Sequence, residues 1–207
     1  YHTKGADPVH KITIIPRGMA LGITAQLPED EKHNYQKKYL LGRLDILMGG
    51  RSAEKLIFND TSTGAGNDIA TATDIARKMV CEWGMSDKIG PLTFGKKSEE
   101  VFLGREISHP KDYSDEISQT IDKEITSLVK KSENKADTIL KKNIEQLHLI
   151  SNALLEYESI SGDEMNGLIN GNPIIRGEPK AKNKRSRRRQ RSKGKIENSP
   201  EKSPSIN

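Results

Sequence analysis

Ser62-Thr63-Gly64-Ala65-Gly66-Asn67-Asp68 runs straight into Ile69-Ala70-Thr71-Ala72-Thr73-Asp74-Ile75-Ala76, and the join between them decides how the chain is read. Small, turn-forming residues give way to an apolar series at Ile69, Ala72, Ile75/Ala76, Met79/Val80 and Trp83. Steps of three and four mark one face of a helix. Ser62, Thr63 or Asn67 can cap it, so the spacing predicts a helix from near Gly66. Asp68 then falls in the first turn, on the side of Ala72 and Ile75. A carboxylate on an apolar stripe needs a partner, because an unpaired ion there is strongly disfavoured. Two roles are open to it. It can satisfy first-turn N–H groups and the helix dipole, or it can ligate a metal.

Upstream, His10-Lys11-Ile12-Thr13-Ile14-Ile15 reads as a strand, closed by Pro16-Arg17-Gly18, and Ala20 to Leu27 as a second. The pair forms a hairpin, and the glycines at Gly18 and Gly22 with Thr24 leave room for another backbone at the sheet edge. Pro28-Glu29-Asp30-Glu31 reads as an acidic helix start ahead of a stripe at Tyr35, Tyr39/Leu40, Leu44 and Leu47/Met48. Ile46, Gly49/Gly50 and Ala53 make a narrow face suited to close helix approach, with Glu54 beside it. Two glycines inside a helix cost about 1 kcal/mol each, so they point to packing or a backbone contact.

Downstream of a break at Gly84–Pro91, Leu92 to Asp112 has little periodicity and reads as a long loop. Ser114 caps a long helical stripe running from Ile117 to Leu140. Ile144 to Leu155 makes a further helix, and Ser161-Gly162-Asp163-Glu164 has capping-box spacing before a last one. Helices in series suggest a bundle or an interface.

The charge is unevenly spread. From Arg176 to Asn207 the chain carries twelve Lys/Arg against three Asp/Glu, while the preceding residues carry 22 against 26. The overall net charge of +5 therefore describes the tail, and the mildly acidic body offers no case for nucleic acid. The run Lys180 to Arg191 has the composition of a disordered segment, able to attract anionic lipid or RNA. The expected division is a folded domain over 1–172 and a basic tail over 173–207. The single cysteine, Cys81, rules out an internal disulfide, fits a reducing compartment and reads as inert packing. The five histidines at positions 2, 10, 33, 109 and 148 form no H-x-x-x-H or H-x-H, so spacing alone builds no complete metal site. No run approaches the length needed to cross a bilayer. The first residue is Tyr1, which reads as a fragment or a processed product.

Six segments read together in order and spacing: Asp7-Pro8-Val9-His10-Lys11, Ile14-Ile15-Pro16-Arg17-Gly18, Met48-Gly49-Gly50-Arg51-Ser52-Ala53-Glu54, Ser62 to Asp68, Trp83-Gly84-Met85-Ser86, and Val101-Phe102-Leu103-Gly104-Arg105-Glu106. Together they resemble the peptidase domain of FtsH, the membrane-anchored, ATP-dependent zinc metalloproteases, over roughly Asp7 to Ile169. The resemblance implies a mainly α (α+β) fold: a helical metallopeptidase domain with a small β-hairpin or sheet and a C-terminal helical bundle. It also implies zinc held by two histidines of an H-E-x-x-H helix and by an aspartate, with a glutamate activating water; that aspartate matches Asp68. Glu54 matches a carboxylate supporting the site. Leu21, Gly22, Ile23 and Thr24 match a substrate-aligning strand for polypeptide substrates.

The chain contains no H-E-x-x-H. The resemblance places that motif immediately upstream of Tyr1, with an ATPase module using ATP and magnesium and N-terminal membrane helices beyond it. The implied parent is a homohexamer anchored in the bacterial inner membrane with this domain in the cytoplasm. It degrades membrane and cytosolic proteins; the 207-residue piece is soluble and inactive alone. The competing reading is a non-catalytic oligomerisation module.

Overall fold

Leu40, Leu44 and Met48, four residues apart, sink into one side of helix α1 (Lys37–Phe58), and the helical core is assembled on that stripe. The computed structural model describes residues 1–16, 18, 22–27, 34–95 and 113–176. Helix α2 (Gly66–Cys81) adds Ala72, Ala76, Met79 and Val80, and α3 (Asp115–Lys142) adds Ile121, Ile125 and Ala136 to the same cluster. Each large aliphatic side chain fully buried there contributes about 1.5–3 kcal/mol. The predicted acidic helix start at Pro28–Glu31 lies outside the described residues. Within them α1 opens at Lys37 after an extended Gln36, with no acid in its first turn.

Polar contacts fix α3 against α1. Lys135 Nζ lies 2.5 Å from Asp45 Oδ2, and Arg51 Nε lies 3.4 Å from Glu133 Oε1. Ser114 caps α3 as expected, accepting from the Ile117 N–H. The break after α2 is held by Met85 N–H to Met79 O and by Phe94 N–H to Cys81 O, both at 2.8 Å. Phe94 meets Tyr113 edge-on, with ring centroids 5.5 Å apart. Most of the predicted loop beyond Gly95 lies outside the described residues. Cys81 is buried, and burial pushes its thiol pKa up, as suits inert packing.

The expected hairpin is present as β1 (Val9–Thr13) and β2 (Ile23–Gln26), shorter than the sequence reading at both strands. A third strand, β3 (Ser159–Ser161), completes an antiparallel sheet of order β2-β1-β3. Ile12 pairs with Thr24 on one side and with the fully buried Ile160 on the other. Helix α4 (Ile144–Tyr157) ends at Glu158, which turns left-handed at φ 60°. The Glu158 carbonyl then accepts from Ile14 N–H at 3.0 Å and Thr13 Oγ1 at 3.1 Å. Ser161 closes β3 and at once caps helix α5 (Gly162–Ile169) through the predicted capping box with Glu164. Position 162 has to be glycine, because a Cβ there would sit 1.8 Å from the Val9 carbonyl oxygen. Among the described residues no helix is long and apolar enough to cross a membrane.

Candidate metal centre

The turn that starts α2 is built by Ser62. Its hydroxyl accepts from Gly64 N–H at 3.1 Å, which caps a 3₁₀ turn at Thr63–Ala65 rather than α2 itself. The residue ahead of α2 is Ala65, without a side-chain cap. Ser62, Thr63 and Asn67 therefore do not cap the α-helix directly; the short turn sits between cap and helix. The same Ser62 hydroxyl donates to Glu54 Oε1 at 2.7 Å, and its N–H donates to Oε2 at 3.0 Å. These two donors, the hydroxyl first, hold the Glu54 carboxyl below its ordinary pKa. Glu54 thus ties the last turns of α1 to the entrance of α2.

Asp68 follows in the first turn of α2. It is half-buried, not sunk in the core, so the apolar stripe begins just beyond it. Its Oδ2 lies 3.9 Å from the point where a Cβ on Gly50 would stand. No described atom lies within 4 Å of a Cβ at Gly49. Among the described residues Gly49 meets no neighbouring element, while Gly50 faces the Asp68 carboxylate of α2 at a distance where an added Cβ would make ordinary contact.

Of the predicted substrate strand, Leu21 lies outside the described residues. Ile23 and Thr24 are exposed on β2, at the edge of the sheet. The space at Gly22 is taken by this chain itself, since a Cβ there would stand 2.8 Å from Thr13 O of β1. An incoming backbone does not enter at Gly22.

Sequence reasoning missed a network joining the far end of β2 to α1. Arg43 Nη1 donates to Gln26 Oε1 at 2.7 Å, and Gln26 Nε2 donates to the Asp7 carbonyl at 3.0 Å. Tyr39 OH donates to Asp7 Oδ2 at 2.6 Å, and that bond to the carboxylate pushes the phenol up to about 12. The one available signal was the four-residue spacing of Tyr39 and Arg43, which puts both on one helix face.

Asp68 offers a carboxylate oxygen donor beside the bare Gly50, chemistry that a divalent cation accepts. Among the described residues no group of three His, Cys, Asp or Glu comes together to hold a metal. Asp68 therefore suits one ligand of a larger set.

The model of Peptidase family M41 matches residues 1–168. The chain belongs to Peptidase family M41. Its M41 relatives include proteins named ATP-dependent zinc metalloprotease FtsH. That of Myxococcus xanthus is 49% identical over 175 residues, 84% of this chain and 27% of the relative. Those of Magnetococcus marinus and Acidobacterium capsulatum are each 52% identical, over 82% and 83% of this chain and 25% and 27% of theirs. The chain spans about a quarter of the length of these M41 relatives.

Proposed function

We propose that this chain is the metal-completing part of a membrane-anchored, ATP-dependent zinc endopeptidase, in which Asp68 supplies one zinc ligand. The observation that carries the reading is the Asp68 carboxylate: half-buried, turned to the bare Gly50, in a chain matched by the M41 family over residues 1–168. Zinc bound there would polarise a peptide carbonyl and lower the pKa of a coordinated water to about 7. Asp68 brings the negative charge that favours the cation. Glu54 acts one step removed, holding Ser62 so that the turn delivers Asp68 at a constant place. The edge of β2 at Ile23 and Thr24 aligns an extended polypeptide by strand addition. The remaining ligands and the base come from an H-E-x-x-H that this sequence lacks, so the 207-residue chain alone does not cleave protein.

The whole protein, in this reading, uses ATP and magnesium in a separate ATPase module and works as a homohexamer in the inner membrane, in protein quality control. Leu149 and Leu155, exposed on α4, are consistent with contacts between subunits. The basic tail adds weak attraction to anionic lipid or RNA.

The deciding experiment is Asp68→Asn in the full-length protein, read by bound zinc, proteolysis and ATP hydrolysis together. The amide keeps the shape and loses the charge. Lost zinc and proteolysis with ATP hydrolysis intact is the result expected. Zinc content and proteolysis equal to wild type would refute the assignment.

A further inference from the structure

Strand β2 is tied to helix α1 as well as to its sheet partner. Arg43 of α1 reaches Gln26, the last residue of β2, and Gln26 reaches back to the Asp7 carbonyl in front of β1. One turn earlier on the same face of α1, Tyr39 takes the Asp7 side chain, which is 9% exposed. The Leu27 N–H, just past the strand, closes on the Pro8 carbonyl at 3.4 Å. Four contacts therefore gather where the sheet ladder itself is irregular, since the β1–β2 register shifts between Val9 and Lys11, opposite Gln26 and Ala25. A short edge strand held only by its ladder is prone to slip.

The same helix presents Gly50 to Asp68. Arg43 and Gly50 are seven residues apart, two turns on nearly the same face and about 10 Å along the axis. Helix α1 is thus one rigid baseline carrying the fastening of β2 at one end and the wall beside Asp68 at the other. We infer that Arg43 and Gln26 are positioning residues: they hold β2 in the register that decides which bond of a docked polypeptide comes opposite Asp68. This rests on the reading of β2 as the docking edge. An extended peptide advances about 3.3 Å per residue and alternates its faces. A strand that slides by one residue therefore offers the wrong side chains, and one that slides by two offers a different bond.

The test uses the full-length protein with Arg43→Met and Arg43→Lys, digesting an unfolded polypeptide whose cut sites are mapped by mass spectrometry. For Arg43→Met, KM is expected to rise about tenfold, the size of one lost hydrogen bond from a charged donor, with kcat little changed. Cut sites spread to neighbouring bonds, while bound zinc and ATP hydrolysis stay at wild-type levels. Arg43→Lys, which keeps a charged donor, restores most of the original sites. An unchanged cut map and KM in Arg43→Met overturns the inference. So does a fall in kcat with lost zinc, which would mark a purely structural role. Substrates N-methylated on alternate backbone amides separate the two levels of the argument. If wild type cuts them as well as the unmodified peptide, strand docking fails and the inference falls with it. If methylation blocks cutting while Arg43→Met keeps the wild-type map, the fastening alone is refuted.

Discussion

Oδ2 of Asp68 and the bare Cα of Gly50 face each other closely enough that an added methyl group would stand 3.9 Å from the oxygen, ordinary contact distance. Gly50→Ala is therefore tolerated sterically and gains about 1 kcal/mol of helix propensity. A higher midpoint in urea denaturation is the expected result. Gly50→Leu has no such latitude. In the full-length protein it is expected to crowd the carboxylate and abolish proteolysis, and wild-type proteolysis in that variant would show that the space is idle.

Asp45 is buried on α1, with its side chain 3% exposed, and Lys135 of α3 supplies its charged partner. Lys135→Met leaves that carboxylate uncompensated, at a cost of about 2 kcal/mol. The double variant Asp45→Leu/Lys135→Met is expected to recover much of the loss. A double-mutant cycle by chemical denaturation with constant m-values measures the coupling; strictly additive effects would contradict it.

Glu124 of α3 receives Lys88 Nζ at 2.6 Å and Ser86 Oγ at 2.9 Å. Lys88 first, and Ser86 after it, outweigh burial and hold the carboxyl below its ordinary 4.5. Because the folded pKa is the lower one, the contribution is complete above the unfolded value of 4.5 and disappears as pH falls through the folded value. As pH falls below about 5, wild type should lose stability more steeply than Glu124→Gln. Parallel curves for the two proteins would contradict this assignment.

Gly162→Ala would place a carbon 1.8 Å from the Val9 carbonyl oxygen, so β1 and the start of α5 must part. The expected loss is about 3 kcal/mol, at the upper end for overpacking. A thermal melt of the variant beside wild type checks it, and an unshifted midpoint would contradict it.

Much of the helical scaffold could be read from the chain because its signals are local. Ser114 and the Ser161–Glu164 box announce two helix starts within four residues, and the stripe from Ile121 to Ala136 repeats at helical spacing. What escaped reading depends on remote partners. Ser159–Ser161 is three residues long and becomes a strand only because Thr13, Ile12 and Lys11 lie beside it. Spacing marks Ser62 as a cap, but it marks neither the 3₁₀ turn that Ser62 serves nor its bond to the Glu54 carboxylate eight residues before it. Asp68 lies in the turn that the spacing predicts but is only half-buried, since periodicity cannot tell where a stripe ends. The Arg43–Gln26 bond joins groups 17 residues apart with no repeating pattern to expose it.

The Glu158 carbonyl, bonded to Thr13 and Ile14, carries a consequence for the order in which this molecule can be made. Those partners are separated by about 145 positions of chain. At about 5–20 residues per second, β1 leaves the ribosome roughly seven to thirty seconds before the residues that finish its sheet. During that interval Ile12 and the β1 edge lack their eventual partners, and this is when the nascent chain is most open to capture by chaperones or to pairing with a neighbour.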